Sequence, residues 1–198
     1  MKLLHVGCGP KSKAHTTRGF NSDSWSEIRL DIDPGVAPDV TGTMTDMTAV
    51  DSGSVDAVFS AHNIEHLYPH EVPQALSEFL RVLSDDGFAV ITCPDLKSVC
   101  ALIADDKLTD AAYVAPAGPI APLDILYGHR AAMARGNIYM AHRCGFTQKV
   151  LTATLFAAGF RSIATACRPS SFDLWAVATK RERDQTELQQ LAAAHFPH

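Results

Sequence analysis

The residues able to do chemistry gather in two short stretches. One is Ala61-His62-Asn63-Ile64-Glu65-His66, where two imidazoles stand four apart with a carboxylate between them. On a helical turn His62 and His66 share one face, with Glu65 beside them. A histidine titrating near neutrality can take a proton from a hydroxyl, amine or acid, and Glu65 could fix its tautomer. The other stretch is Val6-Gly7-Cys8-Gly9, followed 24 residues after Gly7 by Asp31. Glycines spaced in this way let a ligand lie against bare backbone, and an acid at about that distance takes ribose hydroxyls in a βαβ nucleotide fold.

Strands must carry both stretches. Leu3 to Val6 reads as a short buried strand running into the glycine turn, and Ile28 to Ile32 as a second strand with Asp31 near its end. Val55 to Ser60 reads as a buried parallel strand that delivers the histidine stretch to the carboxyl edge of the sheet, where ligands of open α/β folds bind. A weak third strand is expected from Asp39 to Met44. Glu71 to Ser84 has the apolar stripe of an amphipathic helix, Phe88 to Cys93 reads as a fifth strand, and Leu96 to Ala104 as a helix. Thr147 to Ala158 is a helix with Thr147 as N-cap and Gly159 as its stop, and Arg161 to Cys167 and Asp173 to Thr179 are two final strands. The segment Lys11 to Ser26 is polar and shows little helical period, so the first crossover is short.

The turn chemistry narrows the ligand. A dinucleotide fingerprint places Gly or Ala three residues after its second glycine, where this chain has Ser12, and there is no Gly-Lys-Ser/Thr phosphate loop. S-adenosylmethionine carries an adenosine without phosphates and needs the close backbone approach and the ribose acid. In this the chain resembles the class I S-adenosylmethionine-dependent methyltransferases. Val6-Gly7-Cys8-Gly9 is similar to their first motif, Leu30-Asp31-Ile32-Asp33 to the ribose motif and Thr45-Asp46-Met47 to the adenine segment. Ser54 to His62 is similar to their fourth strand and loop, and Leu83-Ser84-Asp85-Asp86-Gly87-Phe88 to the turn before the fifth. Gly145-Phe146-Thr147 and Ala158-Gly159-Phe160 resemble the family's later helix and strand entry.

The resemblance implies a Rossmann-like α/β sheet, mostly parallel, with an antiparallel C-terminal edge hairpin and helices on both faces. It implies a cofactor site at Gly7, Cys8, Gly9, Asp31, Ile32, Asp46, Met47, Ser60 and Ala61, with adenine between Ile32 and Met47. Asp46 admits a second reading as a helix cap. Lys11 stands where the family often has a third glycine, and the family's covering helices before the first strand are not found, which implies an open site or one covered by a later insertion or another subunit. The expected reaction is methyl transfer to a small-molecule acceptor, with proton removal by His66, His62 or His142. A silent cofactor-binding or partner-binding module is the alternative from another class.

His62-x-x-Glu65-His66 also matches the inverted zinc-protease signature. That signature needs a long helix around it and a further ligand downstream, whereas here the motif follows a strand directly and Pro69 lies three residues on, so no metal is expected.

The domain is expected over residues 1–180, with a lid or substrate insertion at 108–146 and a charged, exposed helical tail at 181–198. The insertion holds a Pro/Gly cluster and then Tyr127, His129, Tyr139 and His142, with Arg130, Arg135 or Arg143 to meet a carboxylate. Tyr127, His129, Tyr139 and Arg143 are the substrate-binding candidates. A formal net charge of −5 disfavours bulk nucleic acid as partner. No apolar run nears 18 residues and no charged-then-apolar leader opens the chain, so a cytoplasmic protein off the membrane is expected, with a homodimer as one option. Five cysteines without a Cys-x-x-Cys pair suggest reduced, mostly buried thiols.

Overall fold

The computed structural model describes residues 1–197. Its central sheet has seven strands in the order β3-β2-β1-β4-β5-β9-β8. Strand β1 (Lys2–Val6) lies between β2 (Ser26–Asp31) and β4 (Val55–Ala61), parallel to both, and β3 (Val40–Thr41) is a two-residue edge. The third strand is thus shorter than expected: its path leaves the sheet at Gly42, whose N–H still bonds to the Asp31 carbonyl. Helix α1 (Val72–Val82) runs directly into β5 (Leu83–Pro94), which pairs parallel with β4. The helix ends two residues early and the strand starts five residues early because Leu83 pairs with Val55 before the bulged register settles at Ala57 and Phe88.

Helix α2 (Leu96–Ala104) starts on Asp95, whose carboxylate accepts from the Lys97 and Ser98 N–H groups. A small hairpin of β6 (Tyr113–Ala115) and β7 (Gly118–Ile120) and two short helices, α3 (Pro122–Tyr127) and α4 (Arg130–Ala134), make up the insertion. Ile120 and Ile125 bury against Val99 of α2, so this segment has its own apolar anchor. Helix α5 (Gln148–Ala158) is capped by Thr147 and stopped by Gly159 at φ 113°, as the sequence indicates. Strands β8 (Ser162–Arg168) and β9 (Asp173–Thr179) form the antiparallel hairpin, with β9 inserted between β5 and β8.

Alternation along β1 divides the core. Leu4 and Val6 face a large layer built with α1 and α5, while Leu3 faces Phe20, Trp25, Phe59 and Phe88 on the opposite side. The sheet is covered on both faces, as expected of a parallel α/β sheet. The final helix, α6 (Gln185–His195), departs from the expected exposed tail: Leu188, Leu191 and Phe196 pack on that second layer. His195 is 4% exposed, and its ring lies 4.2 Å from the Phe20 ring centroid and accepts or donates at Nδ1 to Thr17 Oγ1 at 2.6 Å. Gly19 leaves the room for it, since a Cβ there would run into the imidazole. Charge counting missed this because the two aromatic contacts come from residues far apart in sequence.

Candidate active site

The carboxyl ends of β1, β2, β4 and β5 open on one cavity of about 760 Å³, a size that holds a cofactor and a small partner. β9 runs antiparallel to β5, so its first residues, Asp173 and Trp175, reach the same edge, and Arg168 joins them from the end of β8.

Gly7 and Gly9 have φ of 63° and 53°, and a Cβ on Gly9 would meet nothing within 4 Å, so the turn presents bare backbone to the cavity. Asp31 holds the turn's far side: Oδ2 accepts from the Gly9 N–H at 2.7 Å and Oδ1 from the Asp33 N–H at 2.9 Å. Each oxygen keeps a lone pair for a diol hydroxyl. Arg29 ties the turn from below, donating to the carbonyls of Gly9 (2.6 Å), Lys11 (3.0 Å) and Ala37 (2.8 Å). Ile32 is 46% exposed on the cavity wall, with Met44 also on the lining, and this apolar surface fits a flat base. The Asp31 carboxylate and this apolar wall therefore fit an adenosine.

Several expected cofactor residues sit elsewhere. Met47 is buried in the main core, its N–H donated to Glu78 Oε2 at 2.6 Å, and Met44 takes the wall position instead. Asp46 is exposed off the wall and accepts from the Thr48 N–H at 3.2 Å within a turn; no helix among the described residues starts there, so the cap reading is not met either. Cys8 and Ala61 line the cavity, whereas Ser60 is buried within β4 just behind it. Burial raises the Cys8 thiol pKa, so it stays a neutral wall.

The chain leaves β4 through His62, a non-glycine residue at φ 53°, a strained conformation of the kind that gathers at functional sites. A 3₁₀ turn over Ile64–His66 follows, not a long helix. His62 and His66 line the cavity; His142 stands behind His66, their ring centroids 4.9 Å apart. Glu65 is 1% exposed, with His62 Nδ1 3.4 Å from Oε1 and no hydrogen bond formed to either oxygen among the described residues. One atom each of Glu65, His66 and His142 lies within 4.8 Å of the others. Burial opposes the charge of Glu65, but the three imidazoles outweigh it and lower its pKa; partial desolvation opposes the charge of His62, and Glu65 outweighs that and raises it. Burial lowers the pKa of His142.

The insertion divides. The segment Asn137 to Arg143 folds back over the cavity and brings in Tyr139 and Arg143, whereas Tyr127 is 61% exposed and, like His129, lies off the wall. Ile125 is the buried face of α3, and its carbonyl is tied to His142 Nδ1 at 2.7 Å, which turns Tyr127 outward. Arg130 is also absent from the cavity, bonded to Asp124, whose carboxyl it holds down at about 2.

Sequence reading missed Asn63, Thr92, Arg168, Asp173 and Trp175, all on the cavity wall. Thr92 and Trp175 are cross-strand partners, and Thr92 Oγ1 and Trp175 Nε1 are buried with no partner among the described residues. A tryptophan two residues into the expected strand Asp173 to Thr179 was the available signal.

Residues 4–91, just under half of the chain, match the family described as the methyltransferase domain. No curated protein sequence matches the chain. Many solved structures share the fold. One is a possible histamine N-methyltransferase from Thermotoga maritima, a SAM-dependent methyltransferase, at 14% identity and TM-score 0.58, covering 91% of this chain and 82% of that one. Another, at 16% identity and TM-score 0.57 over 90% and 92%, is a SAM-dependent methyltransferase from Methanosarcina mazei. A third is Burkholderia thailandensis 1,6-didemethyltoxoflavin-N1-methyltransferase, with 1,6-didemethyltoxoflavin and S-adenosylhomocysteine bound, at 16% and TM-score 0.56 over 91% and 71%. At these identities the likeness is one of fold.

Proposed function

We propose that this chain is a class I S-adenosylmethionine-dependent methyltransferase, as the match of residues 4–91 to the methyltransferase domain supports, and that it transfers a methyl group to a small-molecule acceptor held under the 137–143 segment. The observation that carries the reading is the single cavity joining the glycine turn, Asp31 and Ile32 at one end to His62, His66, Thr92 and Trp175 at the other. Among the described residues no helix is long and apolar enough to cross a membrane.

Bound S-adenosylmethionine would supply an electrophilic methyl on a sulfonium, open to attack by an acceptor lone pair with S-adenosylhomocysteine as the leaving group. The chain's part is mainly alignment, the entropic share of catalysis. Asp31 and the Gly7–Gly9 backbone anchor the adenosine, and Ile32 with Met44 flanks its base. Thr92 and Trp175 line the acceptor side, and a rotation that exposes their buried, unbonded Oγ1 and Nε1 would offer hydrogen-bond donors to an acceptor with carbonyl, ring-nitrogen or carboxylate atoms. Arg143 reaches the same side, stacked 4.7 Å above the Tyr68 ring. The acceptor's proton passes to His62 or His66, the two imidazoles on the wall.

Calorimetric titration with S-adenosylmethionine and S-adenosylhomocysteine tests the first half, and S-adenosylhomocysteine release in an acceptor screen tests the second. Saturable binding without turnover on any small acceptor would leave a cofactor-binding module in place of an enzyme.

A further inference from the structure

We propose that Glu65, His66 and His142 form a binding site for a divalent transition cation of the zinc class, on the acceptor side of the cavity. The residues arrive from two places, the 3₁₀ turn after β4 and the segment after the Ile138–Met140 turn, and their candidate ligand atoms converge within 4.8 Å. Metal bonds at such a site are about 2.0–2.2 Å, so the set would draw closer together on an ion.

Two further observations point to a ligand. The first is Glu65 itself: a carboxylate 1% exposed, with both oxygens unbonded among the described residues. Its nearest cationic group, the His62 Nδ1, stands off at 3.4 Å without a hydrogen bond, so the buried charge is poorly compensated, and a cation would remove that cost. The second is the state of the two rings. His66 Nδ1 lies 3.1 Å from the Ala141 carbonyl and His142 Nδ1 lies 2.7 Å from the Ile125 carbonyl. A carbonyl can only accept, so both Nδ1 atoms donate, and in each neutral ring Nε2 is left as the lone-pair nitrogen. This backbone-fixed tautomer is the usual support of a metal-binding histidine.

One carboxylate and two imidazoles favour a zinc-class ion over Mg²⁺ or Ca²⁺, which prefer oxygen, and leave coordination positions open. Cys144 is not a member: burial pushes its thiol up to about 11, and its Sγ turns to the Ile64 carbonyl at 3.3 Å. His66 is on the cavity wall, so an open position would face the acceptor and polarise its attacking heteroatom, leaving His62 to take the proton. That role rests on the methyl-transfer reading; the site does not.

The test is absorption titration of metal-stripped protein with Co²⁺, followed by Zn²⁺ displacement, with Mg²⁺ as a control. The expected result is one Co²⁺ per chain with visible d–d bands, displaced by Zn²⁺ and not by Mg²⁺. Binding should be lost in Glu65→Gln and weakened roughly 100-fold or more in His142→Ala. A cooperative urea unfolding transition in His142→Ala reports that this variant is folded, so the result stands even if Glu65→Gln fails to fold. No saturable Co²⁺ binding, unchanged binding in His142→Ala, or an intense thiolate charge-transfer band would overturn the site. Cobalt binding without S-adenosylhomocysteine binding would keep the site and sink the methyl-transfer reading.

Discussion

Asn63 fills the space that a side chain on residue 7 would need. Its Nδ2 donates to the carbonyls of Val6 and Ala61, each at 3.0 Å, and so ties the end of β1 to the end of β4. A Cβ on Gly7 would fall within the Asn63 carboxamide, and the backbone there has φ 63°. The glycine is thus required twice, by conformation and by its neighbour.

Gly7→Ala should destabilise the fold by about 2–4 kcal/mol, combining left-handed backbone strain with overpacking. Urea denaturation of Gly7→Ala, Asn63→Ala and the double variant separates the two. The double variant should be more stable than the sum of the singles implies, and strict additivity would show that the two side chains do not compete.

Asp31→Ala should weaken S-adenosylmethionine and S-adenosylhomocysteine by roughly 10- to 100-fold, the worth of hydrogen bonds to a charged group. It also releases the Gly9 and Asp33 N–H groups. Calorimetry would read the loss, and equal affinity in variant and parent would remove Asp31 from the ribose site.

Arg29→Met should slacken the glycine turn without touching ligand. Guanidinium bonds to Gly9, Lys11 and Ala37 carbonyls disappear, while the Arg29 backbone stays in β2. A several-fold weaker S-adenosylhomocysteine affinity with an unchanged circular dichroism spectrum is expected. A collapsed spectrum would mean that the arginine holds the fold and not the site.

Stability should fall as pH drops from about 6.5 to about 4, through His195. Burial lowers the pKa of this imidazole from 6.5 to about 4. In that window the unfolded chain takes up a proton that the folded chain refuses, so acid favours unfolding, by about 2 kcal/mol at pH 5 relative to pH 7. His195→Phe, placed among Phe20 and Phe88, should flatten this part of the pH profile whatever it does to overall stability. An unchanged slope in urea titrations would assign the effect to other groups.

Local signals carried the frame. Apolar runs, the Gly7-Cys8-Gly9 turn and the Thr147 and Gly159 caps located β1, β4 and α5 because each depends on neighbours within a few residues. What was illegible depends on distance in the chain. Met44 and Met47 have the same side-chain chemistry, and only the departure of the backbone from β3 decides which one meets the cavity. Trp175 reaches the site because β9 runs against β5, a matter of pairing that period alone cannot show. Glu65 read as a residue that could fix a histidine tautomer; its burial and its approach to His142, 77 positions away, emerge only in the fold.

The docking of His195 beneath Gly19 joins residues more than 170 positions apart, and this orders events during synthesis. The segment that carries the glycine turn is made well before α6, so the aromatic layer of Phe20, Trp25 and Phe88 waits for the cover of this helix until α6 has been translated. Until that helix docks the layer is an open greasy underside, the kind of surface that chaperones engage, and its docking ends that exposure.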